Sequence, residues 1–155
     1  MEIRMARLED IPEMIRLLRQ VGQMHHEIRP DLFRDGAQKY TPQALEAILA
    51  DSQRPIFAAM EADHMLGYCF CQIKNCDGGA FNPHRELYID DLCVDETCRG
   101  QHVGSLLYEY TCQYARQLGC SHVTLNVWQG NDAAMAFYQS RGMQVRSITM
   151  ETKLQ

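Results

Sequence analysis

Residues 98–105 read Cys-Arg-Gly-Gln-His-Val-Gly-Ser, between an apolar run that reads as a strand and another that reads as a helix. Strand, glycine-containing loop, helix start: such an order gathers backbone N–H groups and the positive end of a helix dipole onto an anion. Arg99 adds a planar guanidinium that can grip phosphate oxygens in pairs. No lysine follows Gly104, so the run is not a Walker A loop, and the G-x-G-x-x-G dinucleotide fingerprint is absent. Just upstream, "ELYIDDLCV" (86–94) carries Glu86, Asp90 and Asp91. Its apolar phase slips across the two aspartates, with Leu87 and Ile89 in one alternate set and Leu92 and Val94 in the other. A buried central strand apolar on both faces gives the same pattern, and one extra residue, a β-bulge, is the simplest device that shifts phase in this way. It also leaves backbone groups free for an extended, amide-bearing ligand.

The elements that must hold these residues follow from periodicity. Residues 1–7 suit a first strand. Asp10 is placed to cap a helix carrying Ile11, Met14, Ile15, Leu18 and Val21, with Pro12 in its first turn and Glu13 set to reach back. Thr41-Pro42 opens a short second helix. Residues 55–60 and 66–74 read as paired strands, 86–94 as a further strand, and 103–118 as a helix stopped by Gly119. A strand at 122–128, a helix at 132–141 and a final strand or pair at 143–153 complete the order. A single α/β (α+β) domain over 1–155 is expected.

Composition narrows the classes. The 155 residues are 46% hydrophobic and 23% charged, enough for a real core. A net charge of −5 argues against general binding to nucleic acid or anionic membranes. No apolar run nears the roughly 18 residues that span a bilayer. The opening Met-Glu-Ile-Arg lacks a basic-then-apolar leader, so a cytoplasmic location follows by default. The seven cysteines stand in apolar contexts without a C-x-x-C, and His25-His26 has no ligand-pair spacing. They read as reduced thiols and a helix end, with no metal site.

The second half resembles the GNAT superfamily of acyl-CoA-dependent N-acetyltransferases. That family's Arg/Gln-x-x-Gly-x-Gly/Ala motif stands here as Arg99-Gly100-Gln101-His102-Val103-Gly104, flanked by "LCVDETCRG" and "SLLYEYTCQYARQLGC". A second block, "NDAAMAFYQSRGM" (131–143), places Asn131, Ala134, Phe137, Tyr138 and Gly142 on characteristic positions, and "VTLNVW" supplies the strand between. The likeness covers 87–143 and, more loosely, 3–18. His102 departs from the pattern where the motif has glycine. A helical φ would let its backbone N–H still serve while the ring points outward.

The resemblance implies a mixed, mostly antiparallel sheet of about six or seven strands, flanked by about four helices, with strands 4 and 5 splayed. It implies acetyl-CoA as donor, no metal, and an amine-bearing small molecule or peptide as acceptor. Leu92, Cys93 and Val94 would pair by backbone with the pantetheine amides, as an added strand does. Arg99, Gly100, Gln101, His102, Val103, Gly104 and Ser105 would hold the pyrophosphate. Asn131 would touch the pantetheine arm, and Tyr138 would serve as general acid to the leaving thiolate. A lysine-like amine has a pKa of about 10.4 and must arrive neutral. Asp91, Asp90 and Glu86 are the candidate bases, the first two ranked higher because they lie at the phase slip. A backbone N–H near Leu92 or Cys93 would meet the oxyanion. His25, Phe33 and Tyr40 could line the acceptor cleft, though helix and loop packing explains them equally well, and the nearby carboxylates favour a cationic acceptor. A second reading is an acyl-CoA-binding regulatory module with little catalysis. Family members are often dimers, which leaves a homodimer open.

Overall fold

The computed structural model describes residues 1–155. Five strands and four helices follow one another: β1 (Glu2–Met5), α1 (Ile11–Ile28), α2 (Pro42–Leu49), β2 (Ile56–Glu61), β3 (His64–Cys76), β4 (His84–Val94), α3 (Val103–Gln117), β5 (His122–Leu125) and α4 (Asp132–Ser140). They build one sheet in the order β1-β2-β3-β4-β5, antiparallel throughout except for the parallel β4–β5 pair. No helix is long and apolar enough to cross a membrane.

The expected sixth and seventh strands do not form. Residues 143–153 carry the right side chains for a strand, but beyond Met143 no N–H or C=O in the chain bonds to another backbone group. A strand is defined by its neighbour, and here the neighbour is missing. β5 likewise stops at Leu125 rather than 128, where β4 turns away from it. Asp10 also departs from expectation. Its carboxylate makes no cap bond to α1. Instead it accepts two bonds from Arg4, at 2.8 and 3.0 Å, and one from the Arg7 N–H at 2.7 Å, tying β1 to the start of α1. Glu13 faces Arg16 and the Met65 N–H rather than reaching back.

The sheet separates two cores. On one face Met14, Leu17 and Leu18 of α1 and Leu45 and Ile48 of α2 pack on Ile56, Met65, Tyr68, Phe70 and Cys93. On the other, Val103, Leu107 and Ala115 of α3 pack on Phe57, Cys69, Cys71, Leu87 and Ile89. Burying each of these side chains is worth roughly 1.5–3 kcal/mol, so α1 and α3 clamp the sheet from both sides. Gly67 of β3 lies where the clamp is tightest. A methyl group there would sit 2.6 Å from the Cys93 carbonyl oxygen and 3.1 Å from Leu107 Cδ1. Gly67→Ala must therefore displace either β4 or α3. We expect it to lower the free energy of urea unfolding by about 1–3 kcal/mol, the usual cost of overpacking.

Candidate active site

β3 and β4 pair in register up to Cys71↔Ile89, and the next pair is Phe70↔Asp91. Asp90 is therefore an extra residue in β4, and the phase slip read in the sequence is a bulge. Its effect on facing is definite. Leu87 and Ile89 before it, and Leu92 and Val94 after it, all pack on the α3 side, while Cys93 lies in the α1 core. Its effect on pairing is larger. β4 and β5 match from Glu86↔His122 to Ile89↔Leu125, and there the pairing ends. Beyond the bulge, Leu92, Cys93 and Val94 have a partner in β3 only, so one backbone edge stands open. Burial pushes the Cys93 thiol up to about 12, which keeps it protonated and poorly nucleophilic at neutral pH.

Both aspartates at the bulge are engaged from the α1 side. The Tyr40 hydroxyl donates to Asp90 Oδ2 at 2.6 Å, and Lys39 Nζ lies 3.0 Å from Asp90 Oδ1. The Tyr68 hydroxyl, from the middle of β3, donates to Asp91 Oδ2 at 2.7 Å. Burial raises the Asp91 carboxyl to about 6, against the lowering by the Tyr68 bond and the Lys39 charge, and with Asp90 adding a like charge. Tyr40 stacks on Phe70 at 5.6 Å between ring centroids. His25 and Phe33 form a separate wall. Their rings stack at 5.0 Å, and Phe33 meets Trp128 edge-on at 5.1 Å. His26 Nδ1, 2.7 Å from the Phe33 carbonyl oxygen, folds that loop back on α1.

The loop after β4 is locked at its root. Asp95 is buried, accepts from the Thr97 N–H and hydroxyl, and is ion-paired with Arg16 of α1. Arg16 also donates to the Met65 carbonyl oxygen at 2.8 Å, so one guanidinium joins α1, β3 and the loop. Beyond this knot the backbone turns left-handed twice, at Gly100 (φ 79°) and at His102 (φ 62°, ψ 8°). The helical φ expected for His102 is thus corrected. It is the residue before the first turn of α3, in a conformation that costs an L-residue roughly 1–2 kcal/mol. The motif's glycine is explained by the same angle. Arg99 is exposed and hydrogen-bonds to no protein group. Gly104 brings α3 against Val94 and Phe137, where a methyl group would lie 3.4–3.5 Å from both side chains, ordinary contact distances.

Asn131 caps α4, its side chain accepting from the Ala134 N–H at 3.2 Å. Tyr138 packs against Phe137 and Tyr108, at 5.1 and 6.2 Å between centroids. Burial, chiefly, raises its phenol well above the ordinary value, so the hydroxyl stays protonated. Tyr108 borders the α3 core, whereas Tyr68 and Asp91 belong to the α1 side. Tyr138 therefore lies on the α3 side of the sheet and Asp91 on the α1 side.

Glu86 stands apart, four residues before Asp90 and so roughly 13 Å away along the strand. It is buried, with His84 Nε2 at 2.8 Å and Arg146 donating at 2.6 Å to the same oxygen. Burial opposes its ionisation, yet those two bonds hold the carboxyl below its ordinary range. His84 also places Nδ1 2.7 Å from the Asn82 carbonyl oxygen; two acceptors raise its pKa, the Asn82 carbonyl foremost. Cys76, paired with His84 across the strands, brings a thiol within 4.8 Å of both ligand atoms. This trio has the residue types of a cation site, but Arg146 and His84 already supply positive charge to Glu86.

A mixed sheet that parts beside a helix-start loop is the architecture of transferases that draw an acyl group from a coenzyme A thioester. The chain belongs to the acetyltransferase (GNAT) family, whose model matches residues 21–143. The thialysine N-epsilon-acetyltransferase of Bos taurus is 35% identical over 60 residues, covering 39% of this chain and 35% of that protein. An uncharacterized N-acetyltransferase of Bacillus subtilis, YdgE, is 29% identical over 73 residues, covering 47% of this chain and 46% of its own. The match thus spans between a third and a half of these relatives. Among solved structures, a mutant of the BH1408 protein from Bacillus halodurans superposes at a TM-score of 0.95 with 30% identity, covering 100% of both chains. Glucosamine-6-phosphate N-acetyltransferase from Arabidopsis thaliana shares the fold at a TM-score of 0.73 and 21% identity, covering 99% of this chain and 98% of that one.

Two outcomes follow from this geometry. His102→Gly removes the left-handed penalty and should stabilise the protein by about 1 kcal/mol in chemical denaturation. Asp91 has a folded pKa above its unfolded value, so its ionisation opposes folding. The cost is absent below about pH 4, where both states are protonated, and complete above about pH 6. Asp91→Asn should therefore raise the melting temperature at pH 7.5, with the advantage fading as pH falls through 6 toward 4.

Proposed function

We propose that this acetyltransferase moves the acetyl group of acetyl-CoA to a primary amine of a small molecule or peptide, by direct attack in a ternary complex. The observation that carries the reading is the open edge of β4 beyond Ile89↔Leu125. Unpaired backbone at Leu92, Cys93 and Val94 suits the amides of a pantetheine arm. At the end of that edge, residues 99–105 offer the N–H groups that start α3 and the free Arg99 guanidinium to a pyrophosphate. Asn131 would reach the pantetheine arm with its amide nitrogen, which is free of the cap bond that its oxygen makes.

The chemistry then divides between the two faces of the sheet. Desolvation in the cleft favours the neutral form of an arriving amine. As nitrogen attacks the thioester carbonyl its acidity rises sharply, and a carboxylate titrating at about 6 is ionised at neutral pH and able to take the proton. Asp91 fits that role better than Asp90, which Lys39 and Tyr40 already engage. Glu86 is excluded from it by distance and by its own partners. A backbone N–H near Leu92 or Cys93 faces the oxyanion. Tyr138, protonated across the working range, donates to the departing thiolate from the opposite side. His25, Phe33 and Trp128 form an apolar wall for the acceptor. The bovine relative's name, a thialysine N-epsilon-acetyltransferase, fits a cationic amine acceptor here.

Thiol release from acetyl-CoA across a panel of diamines, aminoglycoside-like amines and lysyl peptides tests the reading. Tyr138→Phe should lower kcat about 100-fold with the KM for acetyl-CoA little changed. The acid limb of kcat/KM should fall with an apparent pKa of about 6 and disappear in Asp91→Asn. CoA binding without release for any amine would favour the regulatory module. Failure to bind CoA would overturn both.

A further inference from the structure

Glu86, which the proposed reaction leaves unused, lies among other ligating side chains. Cys76 ends β3 and His84 begins β4, directly paired across the strands, and Glu86 follows two residues later on the same face of the sheet. A thiol, an imidazole and a carboxylate thus converge, with their ligand atoms all within 4.8 Å of one another. The His84 ring is oriented as metal-binding histidines are. Its Nδ1 lies 2.7 Å from the Asn82 carbonyl oxygen, which can only accept, so Nδ1 carries a proton and Nε2 is the ligand atom of the neutral ring. That Nε2 stands 2.8 Å from Glu86 Oε1. Two lone pairs meet at such a distance only around a cation, and here a ring proton and the Arg146 guanidinium serve. A fourth ligand is at hand. His122 of β5 pairs with Glu86, its ring lies 5.4 Å from that of His84, and its Nε2 bonds to no protein group. Lys74, a further cation on this face, is turned onto the Tyr88 ring, 3.8 Å from its centroid.

We infer that Cys76, His84 and Glu86, with His122 as fourth ligand, bind a divalent transition metal of the zinc class and so tie β3, β4 and β5 together at the end of the sheet away from the bulge. A thiolate disfavours the hard cations magnesium and calcium, whereas a mixed sulfur, nitrogen and oxygen set suits zinc. Zinc bonds of about 2.0–2.3 Å put tetrahedral ligand atoms roughly 3.3–3.8 Å apart, so side-chain movements of about 1 Å close the trio on an ion. The charges balance as well. Thiolate and carboxylate neutralise the ion, the His84 ring gives up its second proton, and Arg146 leaves Glu86 Oε1 to the metal. The ion and the guanidinium therefore compete for one oxygen. The site stands independently of the reaction proposed above.

The full reduced chain, freed of metal with a chelator, is titrated with Co2+ as a spectroscopic probe and then with Zn2+. A single equivalent of Co2+ should give a thiolate-to-cobalt charge-transfer band in the near ultraviolet, which Zn2+ bleaches by displacement. Zn2+ should bind in the sub-micromolar range and raise the melting temperature. Cys76→Ser should lose the band, and Cys120→Ser, a thiol outside the trio, should keep it. His122→Ala should weaken Zn2+ binding at least about tenfold. Arg146→Ala should tighten it about tenfold, because the ion no longer displaces a guanidinium. That gain requires a folded protein and a metal at Glu86, so a misfolded variant cannot mimic it. A wild type without the band overturns the inference, as does a band that persists in Cys76→Ser or an affinity that Arg146→Ala leaves unchanged. Unchanged affinity in His122→Ala overturns the four-ligand site. None of these readouts depends on acetyl transfer.

Discussion

One additional residue in β4 organises this molecule. Without Asp90, β4 would stay in phase and alongside β5 to its end, and the sheet would close over its own site. With it, the strand leaves β5 after Ile89, and an edge that would otherwise be paired is left bare. The same residue keeps Leu87, Ile89, Leu92 and Val94 on the α3 core while turning Asp91 toward Tyr68. Opening the sheet therefore does not cost the core its packing. A single backbone insertion separates the two strands and places a carboxylate where they part.

Holding the strands apart requires anchors on both sides. Arg16 and Asp95 tie the end of β4 to α1 and β3, and Val103 and Leu107 seat the start of α3 against the sheet beside Gly67. Between these fixed points the loop takes two left-handed residues. Strain at His102 is offset on the helix side, where Val103 is buried in the α3 core.

What could be read from the residues was what depends on near neighbours. The phase slip at Asp90-Asp91, the loop before α3 and the stop at Gly119 are local, and the structure contains all three. The strand count was not local: residues 143–153 look like a strand, but strandness belongs to a pair, and no strand of the sheet pairs with them. Asp10 looked like a helix cap, yet Arg4, six residues away, outbids the helix N–H groups for its carboxylate. Tyr68, Lys39 and Trp128 gave no signal, because only the packing of α1 and its following loop over β3 and β5 brings them to the site. Glu86 was grouped with the two aspartates by sequence proximity, whereas strand rise carries it to the far end.

Lys39 on Asp90 gives the cleft a resident ammonium. A cationic acceptor approaching that carboxylate exchanges one ion pair for another of similar strength and gains little from the encounter. If the proposed reading holds, charge in this cleft would attract acceptors as a class without rewarding any of them with tight ground-state binding. Affinity would be left to the shape of the aromatic wall, and the acetylated product, no longer competing with the lysine, would leave easily.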